Sequence, residues 1–205
     1  MIGKSGATMD LSPASVSTIV GSAEIDHAIA TLVLAFSADP FTRWVHDDPH
    51  RYLLHAPAAF RAFAASSFEA GAAQRAGDGL GVALWLPPGV YGDSGPLEAI
   101  IADSVAPEKQ ADVGAVIERA EHYRPAEPHW YLSIIGVDPA HRNNGCATAL
   151  LHHRLRQCDR EHLKAYLWTS NPKNISLYER HGFEIVGTIQ IGSSPSITPM
   201  LRQAR

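Results

Sequence analysis

Cysteine is scarce: the 205-residue chain has two, Cys146 and Cys158. Placed on one helix, they would stand roughly 18 Å apart along its axis, too far for a disulfide. No CxxC or HExxH spacing occurs, so no metal site is expected. His46, His50 and His55 lie close to Asp47 and Asp48, but their spacing fits no common metal site. Without a disulfide framework, the expected setting is a reducing cytoplasm. A charge excess is lacking too: 17 Lys+Arg against 21 Asp+Glu leave −4, so neither nucleic acid nor an anionic membrane is expected as a partner. No apolar run approaches the roughly 18 residues of a membrane span. The start, MIGKSGATMDLSPAS, lacks the apolar centre of a secretion signal. It reads as a flexible tail over 1–14, ahead of one domain over 15–205.

What is present is a pattern of alternating element types. Val16 to Val20 reads as a short strand, and Ile25, Ile29, Leu32, Val33 and Phe36 follow helical spacing up to a stop at Asp39-Pro40-Phe41. A second helix is predicted from Pro49 to about Glu69. Two strands follow around the Gly77-Asp78-Gly79 turn, the second being LGVALWL, closed by Pro87-Pro88-Gly89. Residues 96–123 read as helix broken near Pro107. Then come a strand (130–137), a helix (146–158), a strand (164–170), a helix (172–182) and two final strands, FEIVGTIQI and SITPMLRQ. Strand, helix, strand and helix in the second half imply a right-handed crossover between parallel neighbours. The fold class is α/β, one domain with a mixed sheet.

Between the strand at 130–137 and the following helix lies RNNGCA, residues 142–147, which puts very little side chain at a helix mouth. The first N–H groups of a helix have no partner within it, and with the helix dipole they form an anion site that needs no excess of basic residues. Gly145 permits close approach and a positive φ, and Ala147 keeps the next turn low. Asn143 and Asn144 tolerate the turn and offer amides, while Arg142 adds a cation. A tight turn whose glycine serves only the backbone is an equal reading of these residues. Neither GxxxxGK[ST] nor GxGxxG is present.

VDPAHRNNGCA resembles the acyl-CoA-binding motif of the GNAT acetyltransferases: a strand, V-x-P, then [RQ]-x-x-G-x-[GA] opening a helix. SNPKNISLYERHGF (170–183) looks like the same family's N-x(6)-Y-x(3)-GF segment, in the same order along the chain. DPFTRW, LWLPPG and EPHWYLSIIGV are similar to segments of the puromycin N-acetyltransferase type among small-molecule acetyltransferases. The resemblance implies a GNAT-type domain: a mostly antiparallel mixed sheet with a splayed parallel strand pair, flanked by helices. It implies acetyl-CoA as cosubstrate and no metal. Main-chain groups of Ile135, Gly136 and Val137 would pair with the pantetheine arm. The N–H groups of Asn143, Asn144, Gly145, Cys146, Ala147 and Thr148 would take the diphosphate. Asn171 and Asn174 would touch the arm, and Tyr178 would sit near the sulfur as the catalytic residue. Relatives often carry a glutamate on the second splayed strand, where AYLWTS offers Tyr166 and Trp168 instead.

Acetyl transfer needs a neutral amine, a hydrogen-bonded oxyanion and a proton for the leaving thiolate. A main-chain N–H near Val137 could serve the oxyanion. Tyr178, with a reference pKa of about 10, could supply the proton. With the strand glutamate missing, low-pKa amines or removal of the proton through water are expected. His129, Glu127 and Ser133 are candidate bases. Trp44, Trp85, Trp130 and Tyr131 are candidates for an apolar acceptor pocket, with core packing as the default. The thiol of Cys146 could be acidified by the helix mouth, though burial as a small hydrophobe fits it better. The expected activity is acetyl-CoA-dependent transfer to a primary amine of a small molecule. The alternatives are a non-catalytic acyl-CoA sensor and an N-terminal protein acetyltransferase. A homodimer stays open.

Overall fold

The computed structural model describes residues 15–19, 21–92 and 94–205; the tail expected over residues 1–14 lies outside the described residues. Among the described residues, seven strands form one sheet in the order β1-β2-β3-β4-β5-β7-β6. They are β1 (Val16–Thr18), β2 (Ala73–Ala76), β3 (Gly81–Leu86), β4 (His129–Val137), β5 (Lys164–Thr169), β6 (Glu184–Ile185) and β7 (Thr198–Arg202). Every pairing is antiparallel except β4 with β5. The helices are α1 (Ser22–Phe36), α2 (Pro40–Val45), α3 (Pro49–Glu69), α4 (Ser94–Ser104), α5 (Pro107–Glu121), α6 (Cys146–Arg160) and α7 (Pro172–Arg180). Among the described residues, no helix is long and apolar enough to cross a membrane.

Two apolar layers sandwich the sheet. On one side α6 buries Leu150, Leu151, Leu155 and Cys158 against Ala83, Trp85, Leu132 and Leu167. On the other, α1 and α3 bury Ile29, Leu32, Tyr52, Ala56 and Phe60 against Val82, Leu84 and Ile134. Leu151, Leu155 and Cys158 recur at the three-to-four-residue spacing that puts one stripe of a helix on a core. Both cysteines lie on α6, buried and unpaired.

β4 carries an irregularity that places everything downstream. Leu84 pairs with Ile134, but Trp85 pairs with Leu132, leaving Ser133 as an extra residue. Its hydroxyl donates to the Leu84 carbonyl at 3.1 Å. One extra residue inverts the in-out alternation of a strand. Trp130 and Leu132 therefore face α6, yet beyond the bulge it is Ile135 and Val137 that do, while Ile134 turns to α1. The bulge also bends β4 away from β5. Their parallel pairing covers only His129↔Lys164 to Tyr131↔Tyr166 and then stops. The result is a splayed parallel pair with an open V.

Beyond the bulge, Gly136 lets α1 lie directly on β4. A Cβ added there would stand 2.8 Å from the Ala35 Cβ and 3.0 Å from the Leu32 Cδ2. Gly136→Val should lower the melting temperature by several degrees. Overpacking costs about 1–3 kcal/mol, and each kcal/mol moves Tm by about 2–4 °C in a chain of this size. An unchanged thermal transition would mean that α1 has room to retreat.

Two expectations need correction. Asp39-Pro40-Phe41 does not merely end α1. Asp39 caps a further short helix, α2, with Pro40 at its first position, where the missing N–H costs nothing. The predicted strand at 183–191 keeps ladder pairing only at Glu184 and Ile185, plus a lone bridge between Ile189 and Ile197. Its β-branched residues pack instead as irregular chain, with Ile189 and Ile191 against Val116 and Ala120 of α5.

Candidate active site

The open V between β4 and β5 leads into a cleft of about 600 Å³. Ile135, Gly136 and Val137 form one wall, and Arg142, Asn143, Gly145, Cys146, Ala147 and Thr148 form the floor. Asn171, Asn174 and Tyr178 close the far side. The structure thus brings together in one cleft the residues singled out from the two sequence segments. Asn144 is exposed and lies outside this lining.

The floor is built by backbone conformation. Asn143 has φ 66° and Gly145 has φ 80°, both left-handed, and they swing the chain into the N-terminus of α6. Gly145 is the cap residue and provides no side-chain hydrogen bond, so the first N–H groups of α6 keep their donors. No protein atom lies within 4 Å of a Cβ added at Gly145, so it is the backbone turn that demands glycine there and packing leaves the space open. Such a helix mouth can hold a phosphate-sized anion. Arg142 lines the cleft, but one of its nitrogens donates to the Ala35 carbonyl at 3.1 Å, closing the end of α1. The Asn171 carboxamide oxygen is likewise engaged, accepting from the Lys173 N–H at 3.1 Å as the cap of α7. Lys173, Arg180 and His141 also line this cleft. They were not singled out from the sequence, where basic residues on a surface helix carry no distinguishing signal. Cys146 is buried within the floor, and desolvation pushes its thiol pKa up, outweighing the backbone hydrogen bond that lowers it.

A second cavity, of about 160 Å³, opens on the other side of Tyr178. Its walls are largely apolar and come from α1, α2, α3, α4, α5, α7 and the two splayed strands. Phe36, Asp39, Ile135, Asn174 and Tyr178 line both cavities and form the partition between them. Tyr178 is 4% exposed and packs edge-on against Phe183, with ring centroids 6.0 Å apart. Burial raises its phenol pKa well above the usual value, and the nearby charge of Asp39 adds to the rise.

Asp39, which the sequence marks only as a helix stop, lines both cavities. One carboxylate oxygen accepts the Thr42 N–H at 3.0 Å, and the other accepts the Ser170 hydroxyl at 2.7 Å. Those two bonds fix its rotamer at the junction of α2 and the end of β5. Its charge also helps hold the Tyr52 phenol up to about 12, after the larger effect of burial. Among the described residues lining the second cavity, Asp39 is the one carboxylate, and no lysine or arginine is present. The signal was there: an Asp before Pro at a helix start reads as a cap, and a cap can also be a base.

The earlier candidates sit elsewhere. Glu127 pairs with Lys164 at 3.1 Å, and the His129 ring lies beside Arg124 and Tyr166, outside both cavities. Ser133 does line the second cavity, but its hydroxyl is bonded to the sheet. Trp85 and Trp130 belong to the core against α6, and Tyr131 packs on Tyr166 under Arg124. The aromatic walls come instead from Phe36, Phe41, Phe60, Phe63 and Trp168. The group around His46 holds no cluster of three or more His, Cys, Asp or Glu placed for a metal, among the described residues.

Comparison with known proteins agrees with this geometry. Residues 104–183 match the model of the acetyltransferase (GNAT) family. A histone acetyltransferase HPA2 and related acetyltransferase from Corynebacterium glutamicum superposes with a TM-score of 0.69 at 25% identity, over 95% of this chain and 98% of that one. Arylalkylamine N-acetyltransferase 2 from Aedes aegypti superposes with a TM-score of 0.65 at 14% identity, over 95% of this chain and 100% of that one, a likeness of fold.

Proposed function

We propose that this chain is a member of the GNAT acetyltransferase family, whose model matches residues 104–183, and that it transfers the acetyl group of acetyl-CoA to the primary amine of a small molecule. The observation that carries the reading is the partition. One anion-holding cleft and one apolar cavity meet at a carboxylate and a buried phenol. Acetyl-CoA supplies an activated thioester. The donors at the mouth of α6 hold its diphosphate, and the unpaired edge of β4 beyond Tyr131 takes its arm as a neighbouring strand would. Asn174 stands beside the junction. Lys173 and Arg180 add positive charge along the rim.

Asp39 receives the proton that the ammonium must shed before nitrogen can attack. With one oxygen bound to Thr42 and the other to Ser170, it still has lone pairs free to accept from the amine. Tyr178 is the proton donor to the leaving sulfur, because a phenol with a raised pKa stays protonated until a basic thiolate forms beside it. The expectation of a preference for low-pKa amines rested on the missing glutamate of the second splayed strand. Asp39 supplies a carboxylate from α2, so amines near pKa 10 are equally suitable. The buried, unpaired thiols suit a reducing cytoplasm.

The test is release of free thiol from acetyl-CoA in the presence of a panel of primary amines. Turnover with small amines supports the reading. Acetyl-CoA binding without turnover across the panel overturns it in favour of a sensor, and turnover confined to peptide N-termini overturns it in favour of protein acetylation. Gly145→Val probes the cofactor half separately. A branched side chain at positive φ costs about 1–2 kcal/mol and projects into the anion's approach. The expected result is a rise of at least about tenfold in the Kd for CoA, or about 1.4 kcal/mol, by calorimetry. An unchanged Kd would place the diphosphate elsewhere.

A further inference from the structure

The second cavity has two polar ends. Asp39 caps the start of α2 and His46 caps its end. At 1.5 Å per residue their Cα atoms stand roughly 10 Å apart along the helix. Between those ends the lining is apolar and partly aromatic: Phe41 meets Trp168 edge-on at 5.6 Å, and Phe36 lies against Phe60 at 5.3 Å. A cavity of about 160 Å³ is the size that holds a single six-membered ring.

The far end is a polar pair. His46 is 9% exposed and Ser104, at the end of α4, is 2% exposed. The His46 Nε2 lies 3.1 Å from the Ser104 hydroxyl, and both residues line the cavity. The pair is held from behind. The His46 ring stacks on His55 at 6.3 Å with 10° between planes, His55 faces Asp103 at 3.7 Å, and Arg51 fixes the Ser104 carbonyl at 2.8 Å. Burial lowers the His46 pKa, and His55, Arg51 and Arg43 push the same way against the opposing charge of Asp47. The imidazole is therefore neutral at neutral pH. A neutral imidazole beside a hydroxyl can both give and accept a hydrogen bond, yet it offers no counter-charge to a carboxylate or to a second ammonium. Polar groups set in an apolar wall favour a ligand that pairs with them and disfavour one that leaves them unmatched.

We propose that His46 and Ser104 form a recognition site for a neutral hydroxyl, so that the acceptor is a ring-bodied primary amine with its nitrogen at Asp39 and its hydroxyl at the opposite end. The inference rests on the acetyltransferase reading and narrows it to one substrate class. Amino acids are disfavoured because no lysine or arginine among the described residues lines the cavity to meet their carboxylate. Linear polyamines are disfavoured because Asp39 is the one carboxylate among the described lining residues.

The experiment compares kcat/KM for 2-phenylethylamine with that for the same amine bearing a para-hydroxyl, in the unsubstituted protein and in Ser104→Ala and His46→Phe. The expected result is a preference of about tenfold or more for the hydroxylated amine, the scale of an unmatched buried polar group. Each substitution should shrink that ratio towards one. Thermal melts establish that each variant is folded, and the ratio in the unsubstituted protein decides without either. Comparable kcat/KM for the two amines, or a ratio that survives both substitutions, overturns the proposal and leaves acetyl transfer standing. Failure to acetylate either amine while other small amines turn over overturns it as well. Failure with every amine, with acetyl-CoA still bound, overturns the acetyltransferase reading itself.

Discussion

Tyr178→Phe should reduce kcat about 10²-fold or more, while the Kd for CoA changes little. The substitution deletes one oxygen and keeps the ring against Phe183, so packing is preserved and the loss reports on chemistry. General acid catalysis is worth about 10² to 10⁴ in rate, and an alkyl thiolate is a poor leaving group without a proton. Burial and the neighbouring Asp39 both raise the Tyr178 pKa above the ordinary phenol value, so the hydroxyl keeps its proton throughout the physiological range. Activity should accordingly show no alkaline decline from Tyr178 below about pH 10, the reference value that the site exceeds. Rapid-mix measurement of thiol release isolates the step from product release. Full turnover in the variant with a good acceptor would remove Tyr178 from the mechanism.

Asp39→Asn is the second large effect, and it separates two functions of one side chain. Asparagine caps a helix about as well as aspartate, so α2 and its bond from the Thr42 N–H should persist; the charge is lost, and the bond with Ser170 reverses, the amide donating to the hydroxyl that donates to the carboxylate now. With an amine of pKa about 10, roughly one molecule in a thousand is neutral at pH 7. Without a base at the site the enzyme must draw on that fraction. The expected loss in kcat/KM at pH 7 is about 10²-fold or more. The rate of the variant should then climb about tenfold per pH unit towards the amine pKa, as the neutral form accumulates. An amine of pKa near 7.7 should lose much less. Equal losses for the two amines at every pH would assign Asp39 to positioning alone.

The elements that could be read in advance are those whose signal is local. Helix α6 announces itself through apolar residues at three-to-four-residue spacing, and its mouth through RNNGCA. The cleft residues from 135 to 148 and from 171 to 178 lie in two short segments, so proximity in sequence stands in for proximity in space. The acceptor side was not legible for the opposite reason. Its walls come from six helices and two strands, and Asp39 reaches Ser170 across 131 positions of chain. Trp85 and Trp130 drew attention as large aromatics, but size selects equally for core, where both are buried. The bulge at Ser133 leaves no mark in composition. A serine amid apolar residues reads as ordinary alternation until its neighbours are seen to change sides.

That single additional residue has a further consequence for how change in this strand would be tolerated. Gly136 is needed because the chain beyond position 133 points its even-numbered residues at α1. Deleting Ser133 would make Leu132 and Ile134 consecutive partners of Trp85 and Leu84, so the second half of β4 would keep its faces and lose only the bend that parts it from β5. Deleting Ile134 instead would leave the bulge in place and shift the rest by one step, setting branched Val137 where Gly136 now meets α1. The same loss of one residue should therefore be far more damaging just after the bulge than at the bulge itself.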